Sequence, residues 1–226
     1  MNDKRLEKQD HSFSFSTIEN FDDHINQSIP HYDTMNENIV ALSEYFIDEG
    51  TNVYDIGCST GKLLRRLKEG KDDAHFYGLE INENMIKEFT SDTNLTLINS
   101  DITKYNEYVN ASLITSIFTL QFVPLKDREK ILREIFKGLN KGGAFIFSEK
   151  VLSRYSKFQD IFTFLYYDFK KRNFSEKEIL DKEVNLRSIM KPITLEENIQ
   201  MLKKVGFKDI DVIWKNYNFV NIIAIK

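Results

Sequence analysis

Cysteine is almost missing from this chain. Cys58 is the only one in 226 residues, which excludes an intrachain disulfide and a cysteine-based metal cluster. Histidine is nearly as scarce, and His11, His24, His31 and His75 have no metal-ligand spacing, so no metal is expected. No run approaches the roughly 18 apolar residues of a transmembrane helix, and none suggests a membrane partner. The segment Met1 to Gln9 is polar and charged and lacks a signal-peptide core, so the expected compartment is the cytoplasm. Positive charge is not in excess either. A net charge of −4 gives no global field to recruit nucleic acid, and no direct nucleic-acid contact is expected. The adjacent Lys170, Lys171 and Arg172 read as a solvated helix end, and Asp22-Asp23-His24 as helix surface.

What is present suits a globular enzyme. An apolar content of 41%, with 13% aromatics, is enough for one domain with a full core. The expected division is a flexible N-terminus over 1–15 and a single domain over 16–226, with a helical lid or dimer insertion at about 152–192. Phe21, Ile25, Ile29 and Tyr32 predict a short helix ending near Pro30, and Glu37 to Phe46 predict a second. Strands are then expected over Thr51–Gly57, Ala74–Glu80, Leu95–Asp101, Ala111–Leu120 and Ala144–Glu149. Helices over Lys62–Leu67, Asn84–Phe89 and Asp127–Leu139 alternate with them, the last one stopped by Gly142-Gly143. Such alternation implies βαβ units and a parallel sheet.

The C-terminal part differs. Tyr155 to Met190 reads as one long helical stretch with Phe158, Phe162, Tyr166 and Phe169 as an aromatic stripe, more core than substrate box. Thr194 to Val205 follows, opened by a capping-box pair (Thr194 and Glu197) and closed by Gly206. Asp209–Lys215 and Phe219–Ile225 form a terminal hairpin. An antiparallel hairpin on a parallel sheet points to an α/β fold of the Rossmann-like class I methyltransferase type: seven strands, mostly parallel, with a helical lid insertion.

The strongest local signal is Val53-Tyr54-Asp55-Ile56-Gly57-Cys58-Ser59-Thr60-Gly61. A strand runs through Asp55 into a turn flanked by Gly57 and Gly61, where a missing Cβ allows close approach. A helix start follows and favours an anionic group. The pattern D-x-G-x-x-x-G lacks the spacing that fits a pyrophosphate, which disfavours a dehydrogenase. It suits the amino-acid zwitterion of S-adenosyl-L-methionine, with Asp55 facing the ammonium. Glu80, ending the next strand, is placed to accept both ribose hydroxyls, with Ile81 and Met85 packing on the adenine. Asp101 is read either as accepting the adenine amino group, with Ile102 lining the ring, or as a helix cap. Phe118-Thr119-Leu120-Gln121-Phe122 lies where the sheet order should reverse, and is expected to line the methionine arm. Cys58 is read as a packing residue rather than a nucleophile. Methyl transfer needs placement and water exclusion more than acid–base groups, and no catalytic residue stands out.

Several segments carry a more specific likeness. They are Ser28-Ile29-Pro30-His31-Tyr32, the 53–59 loop, Phe118 to Phe122, Gly142-Gly143-Ala144 through Ser148-Glu149-Lys150, and Asp168-Phe169-Lys170. Ser175-Glu176-x-Glu178-Ile179 and the ending Asn218-Phe219 through Ala224-x-Lys226 belong with them. From about residue 15 onward, in order, the chain resembles the carboxy-S-adenosylmethionine synthase family (CmoA). The resemblance implies a homodimer that takes S-adenosyl-L-methionine and prephenate and makes the carboxylated sulfonium used for wobble-uridine modification in tRNA. It also implies cofactor contacts from Tyr32, Gly57, Cys58, Ser59, Gly61, Glu80, Ile81, Asp101, Ile102, Phe118, Thr119 and Gln121. Tyr32 is alternatively a lid over the core.

Two positions depart from the family pattern. Ile117 stands where the family has Asn, and Glu183 follows Lys182 where the family has Arg. A guanidinium forks onto a carboxylate, whereas Glu183 would repel one. Arg187, one turn later, is a candidate replacement, and Tyr32 and Tyr166 are the other substrate candidates. On these grounds the first expectation is methyl transfer to a small molecule, the second carboxy-S-adenosylmethionine synthesis, and the third a non-catalytic nucleoside-binding scaffold.

Overall fold

This computed structural model describes residues 20–226, and the expectation for residues 1–15 lies outside them. Two helices, α1 (Phe21–Ser28) and α2 (Tyr32–Ser43), lead into β1 (Asn52–Ile56). The chain then alternates through α3 (Lys62–Lys68), β2 (His75–Glu80), α4 (Glu83–Glu88) and β3 (Leu95–Asn99). It continues with β4 (Ala111–Ile117), a 3-10 turn over Leu120–Phe122, α5 (Leu125–Gly138) and β5 (Leu139–Lys150). Helices α6 (Ser156–Lys170), α7 (Glu176–Ile189) and α8 (Leu195–Val205) precede the hairpin of β6 (Asp209–Asn216) and β7 (Phe219–Ile225).

The seven strands form one sheet in the order β3-β2-β1-β4-β5-β7-β6. Strands β1 to β5 are parallel, and β7 runs antiparallel to both β5 and β6. This is the Rossmann-like α/β sheet with a terminal antiparallel hairpin. Parallel strands are stable when both faces are covered, and the alternation along each strand achieves that. Val53, Phe76, Leu113 and Ile146 pack with Met35 and Ile39 of α2 and Leu64 and Leu67 of α3. Their neighbours Tyr54, Ile114, Phe145 and Phe147 pack the other way, with Ile131 and Ile135 of α5 and Leu202 of α8.

Several element boundaries differ from the sequence reading, four of them with a clear local setting. Helix α2 begins at Tyr32, not Glu37, directly after His31, whose φ of 56° makes the corner. Strand β4 ends at Ile117 because Phe118 turns into the left-handed region at φ 56°. Gly142-Gly143 do not stop α5. The helix ends at Gly138, where any Cβ would come within 2.3 Å of Tyr108 Cβ, and Gly142 lies inside β5. There the pairing jumps from Ala111↔Leu139 to Leu113↔Ala144, so the glycines form a bulge. The stretch from Tyr155 to Met190 is two helices. Ser175 opens the second with a capping box, its Oγ accepting the Glu178 N–H at 3.3 Å while the Glu178 carboxylate accepts the Ser175 N–H at 2.8 Å.

Among the described residues no helix is long and apolar enough to cross a membrane. The sheet order reverses between β1 and β4, which opens a crevice beyond their carboxyl ends.

Candidate functional site

A cavity of about 460 Å3 occupies that crevice. Tyr32, Asp55, Gly57, Cys58, Ser59, Glu80, Ile81, Met85, Asp101, Ile102, Phe118, Thr119, Gln121 and Tyr166 all line it, as the sequence reading grouped them. Two expected residues do not. Gly61 (φ 80°) lacks a Cβ because the Phe89 ring fills that space, 2.4 Å from where the Cβ would stand, so its role is packing. Arg187 faces a smaller neighbouring cavity instead.

One end of the cavity is acidic. Gly57 (φ 72°) lets the first loop meet the end of β4, since a Cβ there would lie 2.3 Å from Thr119 Oγ1. Asp55 is 3% exposed and accepts the Thr115 hydroxyl at 2.7 Å. Burial raises its pKa to about 7; the Thr115 hydrogen bond lowers it, and the Glu80 charge raises it. No salt bridge to Asp55 is formed among the described residues. A buried, unpaired carboxylate of this kind fits an ammonium ligand. The carboxylate of Glu80 is braced by backbone, its Oε2 accepting the Ser59 N–H at 2.9 Å and its Oε1 the Ile81 and Asn82 N–H groups at 2.8 Å. These three donors leave lone pairs on the carboxylate that could accept further hydrogen bonds. Asp101 closes a local turn, accepting both the Thr103 N–H (2.9 Å) and hydroxyl (2.8 Å), and these bonds lower its pKa. Met85 is buried with its sulfur 3.3 Å from Ser59 Oγ, while Ile81 is 61% exposed at the wall. Burial keeps the Tyr32 hydroxyl protonated, well above its ordinary range.

The other end is basic, and the sequence reading missed it. Lys150 and Lys182 line the cavity, with the buried Lys170 behind them, its Nζ 5.7 Å from the Tyr166 ring centroid. Lys150 Nζ pairs with Glu183 at 3.2 Å and stands 4.8 Å over the Tyr166 ring. Lys182 Nζ donates to His24 Nε2 at 2.5 Å and reaches Ser28 Oγ at 3.3 Å. His24 is therefore no surface residue. Burial, then the charges of Lys182 and Lys170, hold its pKa near 4, so the ring is a neutral acceptor. Burial and then Lys170 bring Lys182 down to about 7, with Glu183 opposing. Burial also lowers Lys170 to about 8, again with Glu183 opposing. Lys170 is thus not a solvated helix end. The available signal was Lys150 in the Ser-Glu-Lys segment and Lys182 beside Glu183, both noted for likeness and given no role.

Comparison with known proteins agrees with this geometry. A profile of the family described as "Methyltransferase domain" matches residues 53–143. A Staphylococcus epidermidis protein named carboxy-S-adenosyl-L-methionine synthase is 40% identical over 94% of this chain and 95% of that protein. One of the same name from Nautilia profundicola is 36% identical over 99% and 97%. The chain belongs to the carboxy-S-adenosyl-L-methionine synthase family. Its cofactor is S-adenosyl-L-methionine, and it is an enzyme of the methyltransferase fold. Solved structures with this fold include human N-acetylserotonin methyltransferase in complex with SAM, at TM-score 0.59 and 15% identity over 86% of this chain and 52% of that one. An S-adenosylmethionine-dependent methyltransferase from Mesorhizobium loti matches at TM-score 0.57 and 16% identity over 82% and 96%.

Proposed function

We propose that this member of the family makes carboxy-S-adenosyl-L-methionine, taking its carboxyl from prephenate, and that the product serves wobble-uridine modification of tRNA by another protein. The observation that carries this reading is the pair of lysines, Lys150 and Lys182, on the wall of the same cavity that Asp55 and Glu80 line. Plain methyl transfer gives no reason for half-buried lysines there, whereas a carboxylate substrate does. The argument for methyl transfer from sequence was Glu183 in place of Arg. In the fold Glu183 pairs with Lys150 at 3.2 Å and does not line the cofactor cavity, so its charge is partly offset where an anion would approach.

In this reading Asp55 holds the ammonium, Glu80 the ribose hydroxyls, and Ile81, Met85, Asp101 and Ile102 surround the adenine. When bound, S-adenosyl-L-methionine would supply a methyl made acidic by the adjacent sulfonium. The donor's carboxyl would leave as CO2, and the electron pair of that broken bond would expel the donor's hydroxyl as hydroxide. The hydroxide would take the methyl proton to give water, and the methyl carbon would bond to the CO2. Lys182 and Lys150 hold the carboxylate by charge, and α1, which reaches the loop through Thr60 Oγ1 to Asp22 (3.2 Å), helps exclude water. No side chain is assigned the proton transfer.

Helices α6 and α7 expose Phe164 (67%), Phe158 (52%), Leu180 (55%) and Val184 (67%), which suits the homodimer of the family. Light scattering should give a dimer mass, and a monomer at micromolar concentration would contradict it. The test of the function is incubation with S-adenosyl-L-methionine and prephenate, with mass spectrometry of the nucleoside. Methylation of an added acceptor without carboxylation would favour the methyltransferase reading.

A further inference from the structure

Arg128, near the start of α5, is 1% exposed and forms no salt bridge among the described residues. Its guanidinium donates instead to three carbonyls: Nε to Val123 at 3.0 Å, and Nη2 to Gln121 at 3.1 Å and to Lys191 at 2.6 Å. Glu149, also 1% exposed, is near enough for its charge and that of Arg128 to act on each other, yet burial pushes its carboxyl up to about 8. Near neutral pH that carboxyl is mostly uncharged, so Arg128 holds a buried charge without an ionised partner. Such a charge is costly, and an apolar side chain would fill the space with less penalty. What the guanidinium adds is a planar fork that collects carbonyls from separate segments at once.

Those segments meet at the cofactor cavity. Gln121 and Val123 belong to the turn after β4 that lines it, and Lys191 lies two residues beyond the end of α7. Gln121 is fixed from three sides without Arg128. Its N–H donates to Glu149 Oε1 at 3.1 Å, its Nε2 donates to the Phe118 carbonyl at 3.2 Å, and its Oε1 accepts the Lys150 N–H at 2.8 Å. The end of α7 reaches this turn through Lys191, whose N–H donates to the Gln121 carbonyl at 2.8 Å and whose own carbonyl accepts from Arg128. Lys182 and Leu186 of the same helix line the cavity, whereas Arg128 does not.

We infer that Arg128 is a positioning residue: it docks the end of α7 on the turn after β4, and so sets where Lys182 stands relative to Lys150. The docking rests on these hydrogen bonds alone. The substrate used to measure its effect rests on the carboxyl-transfer reading.

The test compares Arg128→Met and Arg128→Lys in the full chain. Arg128→Met should raise the prephenate KM about tenfold, the scale of one lost charge-assisted contact, with kcat within about threefold and the nucleoside Kd within about twofold. A lysine sets a single ammonium among three carbonyls, so Arg128→Lys should recover part of the loss, to a KM raised about fourfold. A pH profile separates positioning from lost stability. Lys182 meets His24 of α1, Lys170 of α6, Lys150 of β5 and Glu183 of α7, and burial holds it near 7. When α7 shifts, that burial lessens, and the loss of prephenate binding with rising pH should move to higher pH in both variants. Amide exchange reads the docking without substrate: α7 should exchange about tenfold faster in Arg128→Met, with β1 and β4 unchanged. Unchanged exchange in α7 together with an unmoved KM and pH profile would overturn the inference. So would a nucleoside Kd that rises as far as the prephenate KM, because Arg128 would then support the whole cavity rather than α7. Should Arg128→Met fail to fold, Arg128→Lys decides by the same readings. A wild-type protein that forms no carboxylated nucleoside would remove the function proposed above, and the exchange of α7 would then decide on Arg128.

Discussion

At one end of the cofactor cavity Asp55, Glu80 and Asp101 stand at or just past the tips of β1, β2 and β3. At the other, Lys150, Lys170 and Lys182 converge from β5, α6 and α7. The acidic groups are mostly answered within the protein, Glu80 by three N–H groups and Asp101 by Thr103. The basic groups are held differently: Lys150 pairs with Glu183, Lys182 donates to His24 and Ser28, and burial lowers the pKa values of Lys170 and Lys182. In the function proposed above, the acidic end takes a cation and a sugar and the basic end an anion.

The sharpest way to break this contrast is at Asp55. Asp55→Asn should weaken S-adenosyl-L-methionine binding by about 100-fold, the scale expected when one partner of a buried charge pair is removed. Calorimetry would read it, and the KM for prephenate in the residual activity should change little. Next in size is Lys182→Met. It should raise the prephenate KM about 30-fold while the nucleoside Kd stays within about twofold, the size of a lost charge-assisted contact.

Acidity should separate the two ends without mutation. With its pKa near 7, Asp55 is increasingly protonated as pH falls through 7, so nucleoside affinity should rise from pH 6 to pH 8. Lys182, also near 7, loses its proton as pH rises through that value, so prephenate binding should weaken over the same interval. Parallel pH profiles for the two ligands would contradict the assignment. The smallest effect is expected at Glu183. Glu183→Gln frees Lys150 and should lower the prephenate KM about threefold, with less than about 1 kcal/mol lost in stability for an isolated pair.

The acidic end was legible in the sequence because its chemistry is local. Asp55, Gly57 and Ser59 lie within one strand and turn, and Glu80 ends the next strand, so the alternation of elements placed them. The fold was legible for the same reason, down to the terminal hairpin. The basic end was not, because it depends on tertiary approach. Nothing near Lys182 in sequence announces His24, 158 residues away, or the Lys150 that pairs with Glu183. The break between α6 and α7 decides which side chains face inward, and that break rested on a Ser175–Glu178 pair quoted for its likeness rather than for its capping geometry. The sequence also showed Glu183 without its partner, whereas the fold sets it 3.2 Å from Lys150.

The most direct test of the account is the mass of the nucleoside formed when the purified protein is given S-adenosyl-L-methionine and prephenate together. The account predicts a species in which one methyl hydrogen of the sulfonium has been replaced by a carboxyl group, and its loss in Lys182→Met before any loss of nucleoside binding. Unchanged S-adenosyl-L-methionine, or S-adenosylhomocysteine with a methylated acceptor, would contradict it.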